Sequence, residues 1–380
     1  MPTSSRPTLP KGGGSAVTHP AASASPPGAG DCLLCRDFSG PDDVAAQYPA
    51  QSLPRRDTIG YLAHVLCDPF PSHTDKARAL FTWMHHNIAY NVKDFMAGTI
   101  PRGETPEETI FSGKAVCAGY AGVYETIAVR AGMKCVMVTG HGKGFGHNSV
   151  KAGERPPPRN ATGHAWNAVQ IDGGAWKLID ACWGAGYIDP EKYTAKFNAK
   201  FFCMSNIDFG LSHFPENDAH FYREDGRVPT WEEYVLGPEK GERATWSGDA
   251  GDDGLSEATF EPRAKHISVH GGDVLRFQFS KVCEHWDPVK NGKGPARLLM
   301  LQIHGQGASK TDFVVLESDG FWWWVDIHAR DLGNPGQSVT LCGLDTLDGR
   351  NARGVQKEDF LRKKGRCSMS WVCYGVWELV

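Results

Sequence analysis

The chain has 380 residues, 41% of them hydrophobic, and its 40 Lys and Arg residues against 44 Asp and Glu residues give a net charge of -4. This length predicts more than one domain and provides enough apolar residues for a sizeable core. The near-balance of charge gives no indication of a nucleic-acid partner, and no apolar run approaches the roughly 18 residues of a membrane span.

The first 30 residues are rich in Pro, Ser, Ala, Gly and Thr and contain no apolar stretch that could form the core of a signal peptide. This composition predicts a disordered tail. The chain contains 11 cysteines, an odd number, and most lie within apolar segments. In a small secreted disulfide framework the cysteines would instead be regularly spaced in loops. We therefore expect a reducing compartment and a cytoplasmic location.

Cys32 and Cys35 form a Cys-x-x-Cys pair directly after the tail. Such a pair is typical of one half of a zinc site or of a redox pair. A second half with matching spacing is not evident, because His64 and Cys67 lie in a segment that predicts a helix packed on the core. We expect ordinary buried thiols, with structural zinc as the alternative, and we predict no metal and no cofactor.

The clearest chemical signal is a cysteine at the predicted start of a helix. Residues 114–123 read Lys-Ala-Val-Cys-Ala-Gly-Tyr-Ala-Gly-Val, which places Cys117 among small residues. Apolar residues then recur at helical spacing, at Tyr120, Val123, Tyr124 and Ile127. A thiol at a helix N-terminus faces the positive end of the helix dipole, which favours the nucleophilic thiolate.

Two strands are predicted downstream, over residues 164–171 and 176–180, and they carry a histidine and a carboxylate. If residues 172–174 form a three-residue loop, His164 becomes a diagonal neighbour of Asp180 on one face of the hairpin. Gly173 and Gly174 favour that loop because it needs a residue in the left-handed conformation, whereas a two-residue loop would place the side chains on opposite faces. Cysteine, histidine and aspartate in this order are typical of thiol acyl-transfer enzymes.

The segments around these strands are predicted less sharply. An apolar strand over residues 135–140 leads into a long irregular stretch, residues 141–163, which we expect to frame a substrate cleft or else to be a mobile surface insertion. Cys182 is expected to serve packing rather than catalysis. Residues 201–204 predict a further apolar strand.

Several of these segments resemble the transglutaminase-like superfamily. They are residues 115–121, Ala-Val-Cys-Ala-Gly-Tyr-Ala, residues 164–167, His-Ala-Trp-Asn, and residues 176–180, Trp-Lys-Leu-Ile-Asp, followed by Trp-Gly. Residues 213–215, His-Phe-Pro, are similar to a segment of its kyphoscoliosis-peptidase and cytokinesis-protein branch. The resemblance covers about residues 57–235.

The resemblance implies a papain-like α+β fold, in which a helix bearing the cysteine packs on an antiparallel sheet bearing the other two residues. It implies Cys117 as the nucleophile, His164 as general base and acid, and Asp180 as the residue that orients His164. This chemistry requires no metal. The His-Phe-Pro segment, residues 213–215, is expected to close the edge of the domain.

The remainder of the chain differs in composition and in the pattern of its apolar segments. Residues 239–257 are rich in Gly, Asp and Glu and predict a linker, and beyond them short alternating apolar segments separated by turn residues predict an all-β sandwich. The predicted organisation is a tail, a transglutaminase-like catalytic domain, an acidic linker and a β-sandwich-like domain, over residues 1–30, 31–238, 239–257 and 258–380.

The sequence therefore predicts a thiol enzyme that forms an acyl-enzyme from a peptide or glutamine-type amide. The acyl group would pass to water, as in a peptidase or amidase, or to an amine, as in a transglutaminase. The partners expected are a protein or peptide substrate and a cytoskeletal protein. The alternative is a noncatalytic transglutaminase-like scaffold that binds cytoskeletal or cell-division proteins.

Overall fold

The structure is a computed structural model that describes residues 32–100, 103–148, 150, 154–189, 192–237, 243–305 and 311–380. The predicted tail, residues 1–30, lies outside the described residues. None of the described helices is both long enough and apolar enough to cross a membrane.

The N-terminal part of the chain, up to residue 237, combines helices with short strands. Its helices are α1 (Ser39–Ala46), α2 (Thr58–Cys67), α3 (His73–Asn87), α4 (Val92–Ala97), α5 (Pro106–Ser112), α6 (Cys117–Arg130), α7 (Ala181–Ala185), α8 (Lys200–Cys203), α9 (Asn206–Phe209) and α10 (Trp231–Leu236). Its strands are β1 (Ala89–Tyr90), β2 (Lys114–Ala115), β3 (Cys135–Gly142), β4 (His164–Gln170), β5 (Trp176–Ile179), β6 (Gly186–Ile188), β7 (Tyr193–Ala195) and β8 (His213–Pro215).

The helix α6 packs on an antiparallel sheet with strand order β5-β4-β3-β8. Its apolar face is buried at the predicted helical spacing, and the phenol of Tyr120 donates to the carbonyl of Ile88 at 2.6 Å. On the sheet side, the amide Nδ2–H of Asn167 on β4 donates to the carbonyl of Ala121 at 3.0 Å. These bonds hold the start of α6 over β4, which is the papain-like arrangement that the resemblance implies.

The β4–β5 hairpin has the predicted register. Ile171 donates its N–H to the carbonyl of Ala175 at 3.0 Å, and Gln170 pairs with Trp176 across a loop of residues 172–174. Gly173 and Gly174 have φ of 74° and 80°, the left-handed region that side chains disfavour. The register predicted from loop length and glycine chemistry is confirmed.

Two predicted segments differ from the structure. Residues 201–204 are predicted as a strand, but residues 201–203 belong to the short helix α8 and Met204 follows it in extended conformation. The side-chain oxygen of Asn198 accepts the Lys200 N–H at 3.1 Å and starts the turn. Phe202 fills a pocket against Phe38 and Phe81, so burial alone explains its apolar character. The strand predicted over residues 135–140 extends to Gly142, where it pairs with β8.

The C-terminal part of the chain consists mainly of two sheets. Its strands are β9 (Thr245–Trp246), β10 (His266–Ile267), β11 (Val274–Ser280), β12 (Leu299–Ile303), β13 (Asp312–Val315), β14 (Glu317–Ser318), β15 (Trp322–His328), β16 (Ser338–Leu347), β17 (Arg350–Asn351) and β18 (Met369–Leu379). The helices α11 (Gly248–Asp252) and α12 (Lys357–Lys363) accompany them.

The two sheets enclose a common apolar core. The larger sheet has the order β10-β18-β16-β12-β13, with β9 and β17 attached, and the smaller has the order β11-β15-β14. Phe277 and Phe279 of the smaller sheet pack in one cluster with Leu301, Leu341 and Trp377 of the larger. This confirms the predicted β-sandwich-like architecture.

The segment predicted as a linker is partly built into this second region. Within its described residues, 243–257, β9 pairs with β18, and Ala250 of α11 is fully buried. Its composition is polar, but the backbone pairing of β9 and this one buried methyl attach it to the sandwich. Residues 238–242 lie outside the described residues, and the division of the chain into domains stays a proposal.

Candidate active site

A buried histidine–aspartate pair lies on the β4–β5 hairpin. The ring nitrogen Nε2 of His164 lies 2.7 Å from Oδ2 of Asp180, and the side chains are 8% and 0% exposed. Both project from the same face because Trp166 and Asp180 are opposite each other by extension of the register. The structure therefore brings together the two residues that the hairpin argument paired.

The other oxygen of Asp180 caps a helix. Oδ1 accepts the backbone N–H of Trp183 at 2.9 Å, at the start of α7, and the backbone N–H of Asp180 donates to Phe201 at 3.1 Å. A carboxylate removed from water is stable only when hydrogen bonds and opposite charge replace its hydration. The cap thus fixes the orientation of Asp180 before any contact with histidine is counted.

A second histidine, His213 on β8, contacts the same carboxylate oxygen. Its Nε2 lies 3.0 Å from Oδ2 of Asp180, its Nδ1 lies 3.0 Å from the hydroxyl of Ser212, and its ring stacks on Phe209 at a centroid distance of 3.9 Å. Nδ1 also lies 3.3 Å from the carbonyl of Phe209. In the neutral ring Nε2–H donates to Asp180, and Nδ1 can accept from the closer Ser212 hydroxyl.

The contact of His213 with Asp180 is one that the sequence analysis did not predict. The His-Phe-Pro segment was noted, but only as an expected domain edge. No local spacing connects it to Asp180, because β8 joins the sheet through β3 and not through the hairpin. The His-Phe-Pro resemblance was the signal that could have directed attention to it.

The pKa values of His164, Asp180 and His213 are shifted in different directions. Burial disfavours charge on His164, but the Asp180 carboxylate and its hydrogen bond, together with Cys117, outweigh burial and raise the pKa of His164 to about 10. Burial also opposes the charge of Asp180, yet His164 and His213 hold the pKa of that carboxyl well below its usual range. Burial lowers the pKa of His213 to about 4, against the opposing effect of Asp180.

Cys117 completes the group as the first residue of α6. The thiol is half-buried, and its interaction with His164 helps to raise the pKa of that imidazole. Since Nε2 of His164 is directed at Asp180, Nδ1 is the ring atom left for the thiol. Asp180 therefore orients an imidazole that lies beside the thiol.

The imidazole of His164 is held between close neighbours. Trp183 stacks on it at a centroid distance of 4.7 Å and an interplanar angle of 23°. On the strand beside it, a Cβ added to Gly142 would lie 2.8 Å from the His164 ring and 3.0 Å from Trp183. The absence of a side chain at Gly142 therefore makes room for the ring pair.

Cys117 and His164 open into a cavity of about 1480 Å³. Residues 142–145 line one side, as expected for a segment that frames a cleft, and Phe145 is exposed there. Residues of the β region, including Trp246 and Val282, line the opposite side. The cleft is therefore bounded by both regions of the chain.

Two more groups lie next to the thiol. Cys182 is buried, and burial raises its pKa well above the ordinary value, so it is a packing residue as predicted. Tyr90 lines the cavity, and burial, Cys182 and Cys117 raise the pKa of its phenol. Tyr90 therefore keeps its proton and can donate a hydrogen bond close to Cys117.

Two clusters among the described residues have the composition of a metal site. One is His164, Asp180 and His213, in which the two rings already hydrogen-bond the same carboxylate oxygen. The other brings Cys32 and Cys35 together with Cys283 and His285, none of which belongs to the group of Cys117, His164 and Asp180. His64 and Cys67 are not part of either cluster, since His64 pairs with Asp68 and Cys67 is buried in the core.

Comparison with known proteins agrees with this geometry. The profile of the transglutaminase-like superfamily matches residues 64–181. This part of the chain is a transglutaminase-like domain. The matched range contains Cys117, His164 and Asp180 and ends just after the aspartate, whereas His213 lies beyond it.

The chain is similar to curated proteins of the kyphoscoliosis-peptidase branch. It is 34% identical to kyphoscoliosis peptidase of Mus musculus over 150 residues, 38% of this chain and 21% of that protein. It is 27% identical to hillarin of Drosophila melanogaster over 162 residues, 43% of this chain and 18% of that protein. The chain thus spans about a fifth of the length of these relatives.

A solved structure, red sea bream transglutaminase, aligns with 11% identity and a TM-score of 0.26 over 80% of this chain and 55% of that chain. The placement of the transglutaminase-like domain depends instead on the sequence match and on the α6-on-sheet arrangement described above.

The neutral state of His213 predicts a specific dependence of stability on pH. Because the pKa of His213 falls from its ordinary 6.5 to about 4 in the folded chain, the unfolded chain binds a proton in this interval that the folded chain does not. Stability should therefore fall as pH is lowered from 6.5 to 4, by up to about 3 kcal/mol for this group. In His213→Gln, stability should fall less over this pH interval. Melting curves recorded at several pH values measure the difference.

The exposed His270→Gln serves as the matched control and should retain the wild-type slope. His164 has a raised pKa, so its contribution is complete below pH 6.5 and is lost only above it, outside this window. If the stability of His213→Gln fell between pH 6.5 and 4 as steeply as that of the wild type, a buried neutral His213 would be contradicted.

Proposed function

We propose that the transglutaminase-like domain is a thiol acyl-transfer enzyme that acts on a peptide or glutamine-type amide. The observation that carries the proposal is the chain of contacts from Asp180 through His164 to Cys117, at the edge of a cavity of about 1480 Å³. A thiol paired with an imidazolium is an activated nucleophile. We propose Cys117 as the nucleophile, His164 as general acid and base, and Asp180 as the orienting residue.

In the proposed first step, the Cys117 thiolate attacks the amide carbonyl and forms a C–S bond. The proton held by His164 passes to the leaving amine as the C–N bond breaks, which leaves a thioester and a neutral imidazole. Neutral His164 then takes a proton from water or from a second amine, and this nucleophile releases the acyl group from Cys117.

Two sources of hydrogen bonds are suited to the oxyanion of the tetrahedral intermediate. The first N–H groups of α6, at Cys117 and Ala118, have no acceptor within the helix, and they lie at its positive end. Tyr90 offers a protonated phenol in the same cavity. Donors fixed in advance of the reaction contribute strongly to such steps.

The second candidate is a noncatalytic scaffold that binds cytoskeletal or cell-division proteins. An inert domain has no need for a thiol beside a histidine whose charged form Asp180 favours. We therefore favour the enzyme, and we propose a protein or peptide substrate, a cytoskeletal protein among its partners, and a cytoplasmic location, where thiols stay reduced.

The reactivity of Cys117 is the first test. Alkylation by iodoacetamide, followed by peptide mass mapping across pH, should find one thiol that reacts at pH 6 to 7 roughly tenfold or more faster than a free cysteine. The fast phase should vanish in Cys117→Ala and slow in His164→Ala. Cys373→Ala, which removes an exposed thiol on β18, is the matched control and should keep the fast phase. Labelling of Cys117 no faster than that of Cys373 would contradict an activated nucleophile and favour the scaffold.

The role of Tyr90 is separable from nucleophile activation. Tyr90→Phe removes one hydrogen-bond donor, so kcat toward a peptide amide should fall by roughly 10- to 1000-fold. The alkylation rate of Cys117 should be unchanged, because alkylation forms no oxyanion. Equal loss in both measurements would show that Tyr90 supports the structure of the site and is not an oxyanion donor. Tyr187→Phe, at an exposed tyrosine of the same cavity, is the matched control and should change neither rate.

A further inference from the structure

Three cysteines and a histidine converge at a place the catalytic proposal does not use. The ligand atoms of Cys32, Cys35, Cys283 and His285 all lie within 4.8 Å of one another, and the Sγ atoms of Cys35 and Cys283 are 3.1 Å apart. In a tetrahedral zinc site, bonds of about 2.3 Å to sulfur and 2.0 Å to nitrogen separate the ligand atoms by about 3.5–3.8 Å. The cluster has the size of one such site.

We propose that Cys32, Cys35, Cys283 and His285 bind one structural zinc ion that fastens the N-terminal segment to the β region. Four protein ligands of the Cys₃His type leave no open position, which is typical of structural and not of catalytic zinc. Binding forms three Zn–S bonds and one Zn–N bond and releases one proton from each thiol to solvent. No oxidant is needed, since zinc and sulfur keep their oxidation states.

The local backbone prepares both halves of the site. The carbonyl of Cys32 accepts the N–H groups of Cys35 and Arg36 at 3.0 and 2.9 Å, so the Cys-x-x-Cys pair closes into a tight turn. The other half, Cys283 and His285, lies in the loop after β11, where Trp286 donates its N–H to the carbonyl of Cys283 at 3.3 Å. Each half is a hydrogen-bonded turn that carries two of the ligands.

Neither chance proximity nor a disulfide explains why all four side chains converge. Cys35 and Cys283 are 248 positions apart in the chain, so their meeting needs a specific tertiary arrangement. Their sulfurs are 3.1 Å apart, beyond the roughly 2.05 Å of a disulfide. A bond between these two would leave Cys32 and His285 converging on the same point without a reason. One ion accounts for all four.

The site stands next to the catalytic cavity. Leu34, between the first two ligands, and Val282, directly before the third, both line the cavity that contains Cys117. Arg36, directly after Cys35, binds Asp75 on α3 through two hydrogen bonds of 3.0 and 2.8 Å. The zinc would therefore fix the wall that the β region contributes to the cleft. The site itself does not depend on the proposed enzyme activity, but this consequence for the cleft rests on it.

The test is the zinc content of the full-length chain, purified under reducing conditions with zinc in the growth medium. Elemental analysis should find about one zinc per chain. The variants Cys283→Ser and His285→Ala should lower the content at least several-fold. Cys367→Ser, at another half-buried thiol of the β region, is the matched control and should keep about one zinc.

If a variant fails to fold, measurements on the wild-type protein still test the proposed site. Zinc removed by a chelator and replaced by Co²⁺ should give the absorption bands of tetrahedral cobalt with thiolate ligands, and the zinc-free chain should melt several degrees lower. The proposed site would be overturned if wild-type protein contained no zinc after incubation with zinc salts. Full zinc in Cys283→Ser, or a Cys35–Cys283 disulfide found by mass mapping under reducing conditions, would overturn it as well. None of these readouts involves activity, so they stand apart from the test of Cys117.

Discussion

The buried carboxylate of Asp180 is the interaction on which the site depends. One oxygen caps α7, and the other accepts hydrogen bonds from His164 and His213, so the three groups around it come from α7, β4 and β8. A charge this deeply buried would be costly if any of these partners moved away. The need to keep it satisfied therefore holds the helix, the hairpin and the edge strand in one arrangement.

The two histidines share this carboxylate but carry different charge. His164 borders the cavity and contacts the thiol, and its pKa is raised, whereas His213 is enclosed by Phe209 and stays neutral. A neutral donor to the same oxygen of Asp180 supports the carboxylate without adding a second positive charge beside His164. This division suits a residue that positions the aspartate and leaves the proton chemistry to His164.

Sequence alone predicted the parts of the site that local rules determine. The helical spacing after Cys117 and the glycines of the 172–174 loop were enough to place the cysteine at a helix start and His164 beside Asp180. His213 escaped because it reaches Asp180 through a strand pairing that no local pattern encodes. Cys283 and His285 escaped for the same reason, since their partners lie at the other end of the chain.

The wrong strand prediction over residues 201–204 has the same origin. Residues 201–204 are apolar because Phe202 fills a pocket, and a short run of apolar residues does not distinguish a strand from a buried turn of helix. Tertiary contacts decided this segment. Residues 239–257 stay a predicted linker, and within their described part β9 pairs with β18, because backbone pairing depends little on side-chain polarity.

The proposed activity depends on a covalent acyl-enzyme at Cys117. The most direct measurement is a burst titration with an activated ester, p-nitrophenyl acetate, combined with the mass of the protein during the burst. We predict a burst approaching one equivalent and an added acetyl group on Cys117, both lost in Cys117→Ala and both kept in Cys373→Ala. No burst in the wild-type protein, or acetylation elsewhere with Cys117 unmodified, would contradict the account.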